Sequence, residues 1–165
     1  MSMEQSITSQ TIGMIKTIIF DWKRTLYDPD KRTLIKGSIE LLGFLKSKRI
    51  SMVLMGKGGK DMYQEVSRLG VKNYFNHVIF AEGTKDPKVF IPHISSTDPG
   101  KTVFIGDRTR SEPEIGKKLG AKTIWVKQGK FANEESEDSS LQPDHTVTSL
   151  TSCLQFLQKI KFESN

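Results

Sequence analysis

The amino-acid sequence predicts one three-layer α/β domain, a mainly parallel sheet flanked on both faces by helices. Short apolar, β-branched runs alternate with stretches of helical periodicity along most of the chain. Glycines stand where helices of that length should end. Two aspartates, Asp21 and Asp107, sit at the ends of apolar runs, where sheets of this kind carry their functional groups.

The elements follow in order. Residues 1–13 read as a flexible tail and 14–162 as a single domain. The run 14–20, MIKTIIF, is a short buried strand ending at Asp21. Residues 34–48 place Ile35, Ile39, Leu42 and Leu45 near helical spacing. A second strand, 51–55, is stopped by Gly56, and a helix over 61–69 is capped by Gly70. Val78, Ile79 and Phe80 form a third strand. After Asp86 and Pro87 a helix is expected, with Val89, Phe90 and Ile94 on its apolar side. Residues 102–105 make a fourth strand leading into Gly106 and Asp107. Pro113 opens the next helix, Gly120 closes it, and 123–126 is a fifth strand. The polar, acidic stretch 128–143 reads as a loop. Thr146 and Val147 form a short edge strand before a helix over 149–161. Parallel strands joined through helices put their carboxyl ends on one rim, so Asp21 and Asp107 should meet there.

Length and composition fit one soluble domain, with 165 residues, 36% hydrophobic and 27% charged. No apolar run approaches the ~18 residues that cross a bilayer. The polar opening lacks the basic start and apolar segment of a signal peptide. Cys153, the single cysteine, lies in an apolar helical pattern and reads as a core thiol. These features point to the cytoplasm and to no membrane partner. The net charge is +6, while Glu134, Glu135, Glu137, Asp138 and Asp144 cluster late in the chain, so the remainder is more basic than the total. Such a surface favours anionic partners. No aromatic–basic interleaving predicts sequence-specific nucleic-acid binding. Lys57, Gly58, Gly59 and Lys60 lack the spacing of a phosphate-binding P-loop, although the turn amides offer an anion nest.

The residues around the two aspartates carry a family resemblance. Phe20-Asp21-Trp22-Lys23-Arg24-Thr25-Leu26 resembles the D-x-D-G-T-L signature of the haloacid dehalogenase (HAD) superfamily, keeping its first Asp, its Thr and its Leu. Gly106-Asp107 with Ser111-Glu112 resembles the fourth motif of that family, and Asp86-Pro87-Lys88-Val89-Phe90 its third. The resemblance spans roughly 14–160. It implies that Asp21 attacks phosphorus and forms an aspartyl-phosphate. It implies Mg²⁺ held by Asp21, Asp107 and the Lys23 carbonyl, with Glu112 supporting that shell. Lys85 supplies the third-motif lysine, unless strict alignment puts Thr84 there. Lys57, Gly58 and Arg108 would bind the phosphate.

Three departures shape the functional reading. Lys23 stands where the family carries its acid–base aspartate, and a lysine can hardly activate water. Arg24 replaces the following glycine. Met55 falls where a Ser or Thr hydroxyl would contact phosphate. With these departures the resemblance implies a Mg²⁺-dependent phosphatase of impaired or atypical turnover, acting on a phosphorylated small molecule or macromolecule. Only 33 residues separate Asp21 from Met55, too few for a helical cap domain, so the site is expected to be open or closed by a neighbouring subunit. Two alternatives stand beside this. One is a non-catalytic protein of the same fold that binds phosphate or an acidic partner through Lys23, Arg24, Lys57, Arg108 and Arg110. The other is a receiver-type phosphoacceptor, whose aspartate follows the third strand rather than the first.

Overall fold

The computed structural model describes residues 12–82, 87–89, 91–94, 97–110, 112–134 and 141–165, with backbone alone at 87 and 112. Its main sheet has six parallel strands among these residues: β1 (Thr17–Asp21), β4 (Ser51–Lys57), β5 (His77–Ala81), β6 (Thr102–Gly106), β7 (Lys122–Val126) and β8 (His145–Val147). Their order is β5-β4-β1-β6-β7-β8. A two-stranded antiparallel hairpin, β2 (Tyr27–Asp28) with β3 (Thr33–Leu34), follows β1. The helices are α1 (Ser38–Ser47), α2 (Lys60–Arg68), α3 (Glu112–Lys118) and α4 (Leu150–Leu157). The chain steps outward from β1 through β4 to β5, then returns to the other side of β1 at β6. The strand order reverses there, so the carboxyl ends of β4, β1 and β6 share one rim.

The strands form because their residues are buried on both faces, which is why they read as continuous apolar runs. Ile18, Phe20, Met52, Leu54, Val103 and Ile105 point into the larger core, shared with Leu41, Leu42 and Leu45 of α1, Val66 of α2, and Leu150, Cys153 and Leu157 of α4. Ile19, Val53, Met55 and Phe104 point the other way, against Ala121 with Ile115 and Leu119 at and beyond α3. The three layers expected from the sequence are therefore present. Cys153 is fully buried, and burial pushes its thiol up to about 12. No helix among the described residues is long and apolar enough to cross a membrane.

Gly70 and Gly120 both take positive φ, 73° and 92°, and end α2 and α3 in the same way. Gly70 N donates to Ser67 O and Val71 N to Val66 O; Gly120 N donates to Lys117 O and Ala121 N to Gly116 O. Each is a Schellman stop, which needs a residue free of left-handed strain at that position. Ser149 and Ser152 form a reciprocal capping box at the start of α4.

The structure corrects several expected boundaries. The tail expected over 1–13 gives up Ile12, which is buried in the core, and Glu163 N and Asn165 N bond back to Ile15 O and Arg49 O. The first strand begins at Thr17. The helix expected from residue 34 starts at Ser38, because Leu34 pairs with Tyr27 in the hairpin and Gly37 turns the chain at φ 94°. Its buried stripe is Ser38, Leu41, Leu42 and Leu45, leaving Ile39 exposed. β4 runs through Gly56 to Lys57, with glycine required because an added Cβ would stand 2.8 Å from the Phe80 ring. The helix expected directly after Pro87 is absent among the described residues of 87–94. Pro87–Val89 and Ile91–His93 are single 3₁₀ turns, and Pro92 lacks the N–H a continuing helix needs. The last helix ends at Leu157 rather than 161.

The hairpin is tied to α2 by Glu65, which is only 5% exposed. Its carboxylate accepts from Tyr27 Oη at 2.6 Å, Arg32 Nη2 at 2.9 Å and Arg68 Nε at 2.7 Å. Hydrogen bonds from Arg68, then Arg32 and Tyr27, hold this carboxyl far below its ordinary 4.5. The folded value is the lower one, so the stabilisation is complete above 4.5 and is lost as pH falls towards the folded value. The urea midpoint should drop between about pH 5 and pH 3 more steeply in wild type than in Glu65→Gln. Parallel curves for the two proteins would show that the acid sensitivity arises elsewhere.

Candidate active site

Asp21 ends β1 and Asp107 follows β6 directly, so parallel pairing of the two strands brings the acids together. Thr25 lies between them, fully buried. Its hydroxyl is 3.3 Å from Asp107 Oδ1 and 3.4 Å from Asp21 Oδ2, and it accepts from the Asp107 amide at 3.0 Å. A hydroxyl has one proton, so it satisfies only one of the two carboxylates at a time. Trp125 of β7 fixes the other side of Asp107, its indole N–H donating to the Asp107 carbonyl at 3.0 Å.

Thr25 reaches this position because the chain doubles back after β1. The amides of Thr25, Leu26 and Tyr27 all donate to the Trp22 carbonyl, and Arg24 N donates to Tyr27 O. The Trp22 and Tyr27 rings stack beneath the turn, 5.0 Å between centroids. The turn requires φ 66° at Arg24, a left-handed conformation that explains glycine at this place in the resembling signature.

Asp107 is 1% exposed, and its Oδ2 finds no hydrogen-bond donor among the described residues. Burial raises its carboxyl above the ordinary value, opposed by the nearby Asp21 carboxyl, its own amide, Thr25 and Arg24. A buried carboxylate oxygen without a partner, beside a second carboxylate, calls for a proton or a cation. The donor set is all oxygen, which suits a hard divalent ion. The fit is favourable but spare: no group of three or more His, Cys, Asp or Glu gathers as a metal cluster among the described residues.

The other expected residues fall as follows. Lys23 lies in the turn after Asp21, bridged to Tyr27. Met55 pairs with Asp21 in register, buried in the smaller core, and offers no hydroxyl. Lys57 ends β4 on the same rim and is exposed. The anion nest expected at Gly58 does not form, because Gly58 N donates to Ala81 O and Gly59 N to Asp61 Oδ1. Arg108, expected to bind phosphate, lies in the loop after β6. Its guanidinium pairs with Glu134 at 2.8 Å and lies 4.1 Å over the Phe131 ring. Glu112 begins α3, its side chain outside the description. Thr84, Lys85 and Ser111 lie outside the described residues.

Glu134 was hidden in the acidic loop. Its carboxylate accepts from the amides of Thr109 and Arg110 at 2.7 and 3.0 Å as well as from Arg108. Burial works against its charge, but these hydrogen bonds prevail and lower its carboxyl below the ordinary value. No local pattern marks a residue whose partners lie 24 to 26 positions away. A cavity of about 430 Å³ opens beside it, lined by Arg110, Lys130, Phe131, Asn133 and Glu134.

Because a non-glycine residue in the left-handed region costs roughly 1–2 kcal/mol, Arg24→Gly should stabilise the fold by about 0.5–1 kcal/mol after glycine's own entropy is subtracted. A urea midpoint that falls in this variant would mean that Arg24 contributes contacts outweighing its strain.

Comparisons with known proteins agree with this geometry. A family model described as HAD-hydrolase-like matches residues 55–153. A glyceraldehyde 3-phosphate phosphatase of Pyrococcus furiosus is 30% identical over 103 residues, covering 59% of this chain and 42% of that protein. A haloacid dehalogenase-like hydrolase domain-containing protein of Arabidopsis thaliana is 27% identical over 142 residues, covering 82% of this chain and 57% of that one. The chain thus spans about half the length of these curated relatives. Among solved structures, the HAD-hydrolase YfnB of Bacillus subtilis bound to magnesium superposes with a TM-score of 0.61 at 17% identity, over 76% of this chain and 57% of that one. On the family match, the topology and the paired acids at β1 and β6, this chain belongs to the HAD-like hydrolases.

Proposed function

We propose that this protein is a Mg²⁺-dependent phosphatase that works through an aspartyl-phosphate on Asp21 and turns over slowly. The observation that carries the reading is the Asp21–Thr25–Asp107 arrangement, with one buried Asp107 oxygen that meets no hydrogen-bond donor among the described residues. The phosphatase names of its relatives support it, as does magnesium in a structural neighbour. Asp21, Asp107 and the Lys23 carbonyl would hold the ion, which neutralises charge on the transferring phosphoryl group when bound. Asp21 supplies the nucleophilic oxygen. The phosphorus–leaving-group bond breaks as the bond to Asp21 forms, and water later cleaves the acyl phosphate. Asp107 stays buried and oriented by Thr25 and Trp125. Its substrate is a phosphorylated small molecule or macromolecule met in the cytoplasm.

Lys23 is where this chemistry is weakest. Both half-reactions gain from a positioned acid–base group, typically ~10²–10⁴-fold, and lysine replaces the carboxylate that would serve. An aryl phosphate needs little protonation of its leaving group, so the loss should fall on hydrolysis of the intermediate. Wild type is expected to release about one product per protein in a burst and then a slow phase in Mg²⁺. Asp21→Asn should abolish both, and Lys23→Asp should speed the slow phase. Absence of turnover in wild type and in folded Lys23→Asp at saturating Mg²⁺ would overturn the enzyme reading. The favoured alternative would then be a non-catalytic anion-binding protein, for which Lys23, Arg24 and Met55 in place of the motif residues already argue.

A further inference from the structure

One short stretch of chain grips both acid-bearing loops. At its start, Trp125 Nε1 holds the Asp107 carbonyl at 3.0 Å. Gln128 then reaches across to the turn after β1, its Nε2 3.2 Å from Arg24 O and 3.4 Å from Thr25 O. The turn Gly129–Phe131 puts the Phe131 ring under Arg108, and Glu134 closes the stretch on the loop after β6. The Glu134 side chain is 10% exposed, and both of its carboxylate oxygens accept from that loop. Oε1 accepts from Thr109 N, Arg110 N and, at 3.2 Å, Thr109 Oγ1; Oε2 accepts from Arg108 Nη2 at 2.8 Å and Nε at 3.2 Å.

Loops at sheet rims are the mobile part of such folds, and their backbone amides must be paired to hold one conformation. Here the amides of Thr109 and Arg110, two and three residues beyond Asp107, are paired by a side chain from another loop, and that loop also reaches the Asp21–Thr25 turn through Gln128. We propose that Glu134 is a positioning residue: a charged strut that, with Gln128 at the other end of the same stretch, sets the loop carrying Asp107 against the turn carrying Thr25. The proposal rests on Asp21 and Asp107 being the working pair. Supports of this kind are worth about 10–100-fold in metal affinity or activity.

The full chain tests it with Glu134→Ala, Glu134→Gln and Gln128→Ala, each compared with wild type at matched folded fraction from urea unfolding. In metal-free protein, amide exchange at Asp107, whose N–H bonds Thr25 Oγ1, should accelerate by more than about tenfold in Glu134→Ala. Mg²⁺ affinity by calorimetry should weaken about 10–100-fold, and hydrolysis of an aryl phosphate should fall in kcat more than it rises in KM. Glu134→Gln keeps an acceptor for the amides but no charge for Arg108, so it should fall between the two. It also serves if the alanine variant does not fold. Gln128→Ala should produce a smaller change of the same sign. Unchanged Asp107 exchange in folded Glu134→Ala or Glu134→Gln overturns the proposal, as does unchanged Mg²⁺ affinity in a protein that binds it. If wild type neither binds Mg²⁺ nor turns over, the phosphatase reading fails alone, and Asp107 exchange still decides the role of Glu134.

Discussion

Two carboxylates and a single hydroxyl proton meet at the ends of β1 and β6, and most of the surrounding structure keeps them there. Thr25 bridges the half-buried Asp21 and the buried Asp107, and little around them can yield. β1 is bonded on both edges, by β4 and β6, and Asp107 is held at its amide by Thr25 and at its carbonyl by Trp125. Thr25 in turn depends on the turn that returns three amides to the Trp22 carbonyl above the Trp22–Tyr27 stack. That stack continues into the Glu65 network through the Tyr27 hydroxyl. The acid pair therefore sits at the top of a chain of contacts reaching to α2.

The sheet was legible because buried parallel strands announce themselves as apolar runs, and both helix-stopping glycines were legible because only glycine takes that conformation cheaply. What escaped was short or conditional. Hairpin strands of two residues each leave no period to read, so Leu34 was assigned to the following helix. The phase of α1 was misread at Ile39, since an isoleucine on an exposed face looks like a core residue until the neighbouring elements are known. Pro92 denies a helix after Pro87 one of the N–H donors it needs.

In the site, the meeting of Asp21 and Asp107 was readable from their places after two apolar strands, since strand ends at the reversal of strand order converge. Their shared partner Thr25 was read as a motif match, and its geometry belongs to the folded turn. Charge suggests what a side chain attracts but not which anion of its own chain it meets, as with Arg108 and Glu134. The glycine-rich turn after β4 misled for a related reason: amides that look available in sequence are consumed by Ala81 and Asp61.

Arg24 joins the mechanical and electrostatic sides of the site. It occupies the left-handed position that the turn demands, and its charge is among the influences that lower the carboxyl of Asp107 against the upward push of burial. Glycine there would relieve the backbone and remove that charge together. Asp107 would then lean further towards its protonated form. The sequence departs from the family signature at the point where a structural cost is exchanged for partial self-neutralisation of the acid pair.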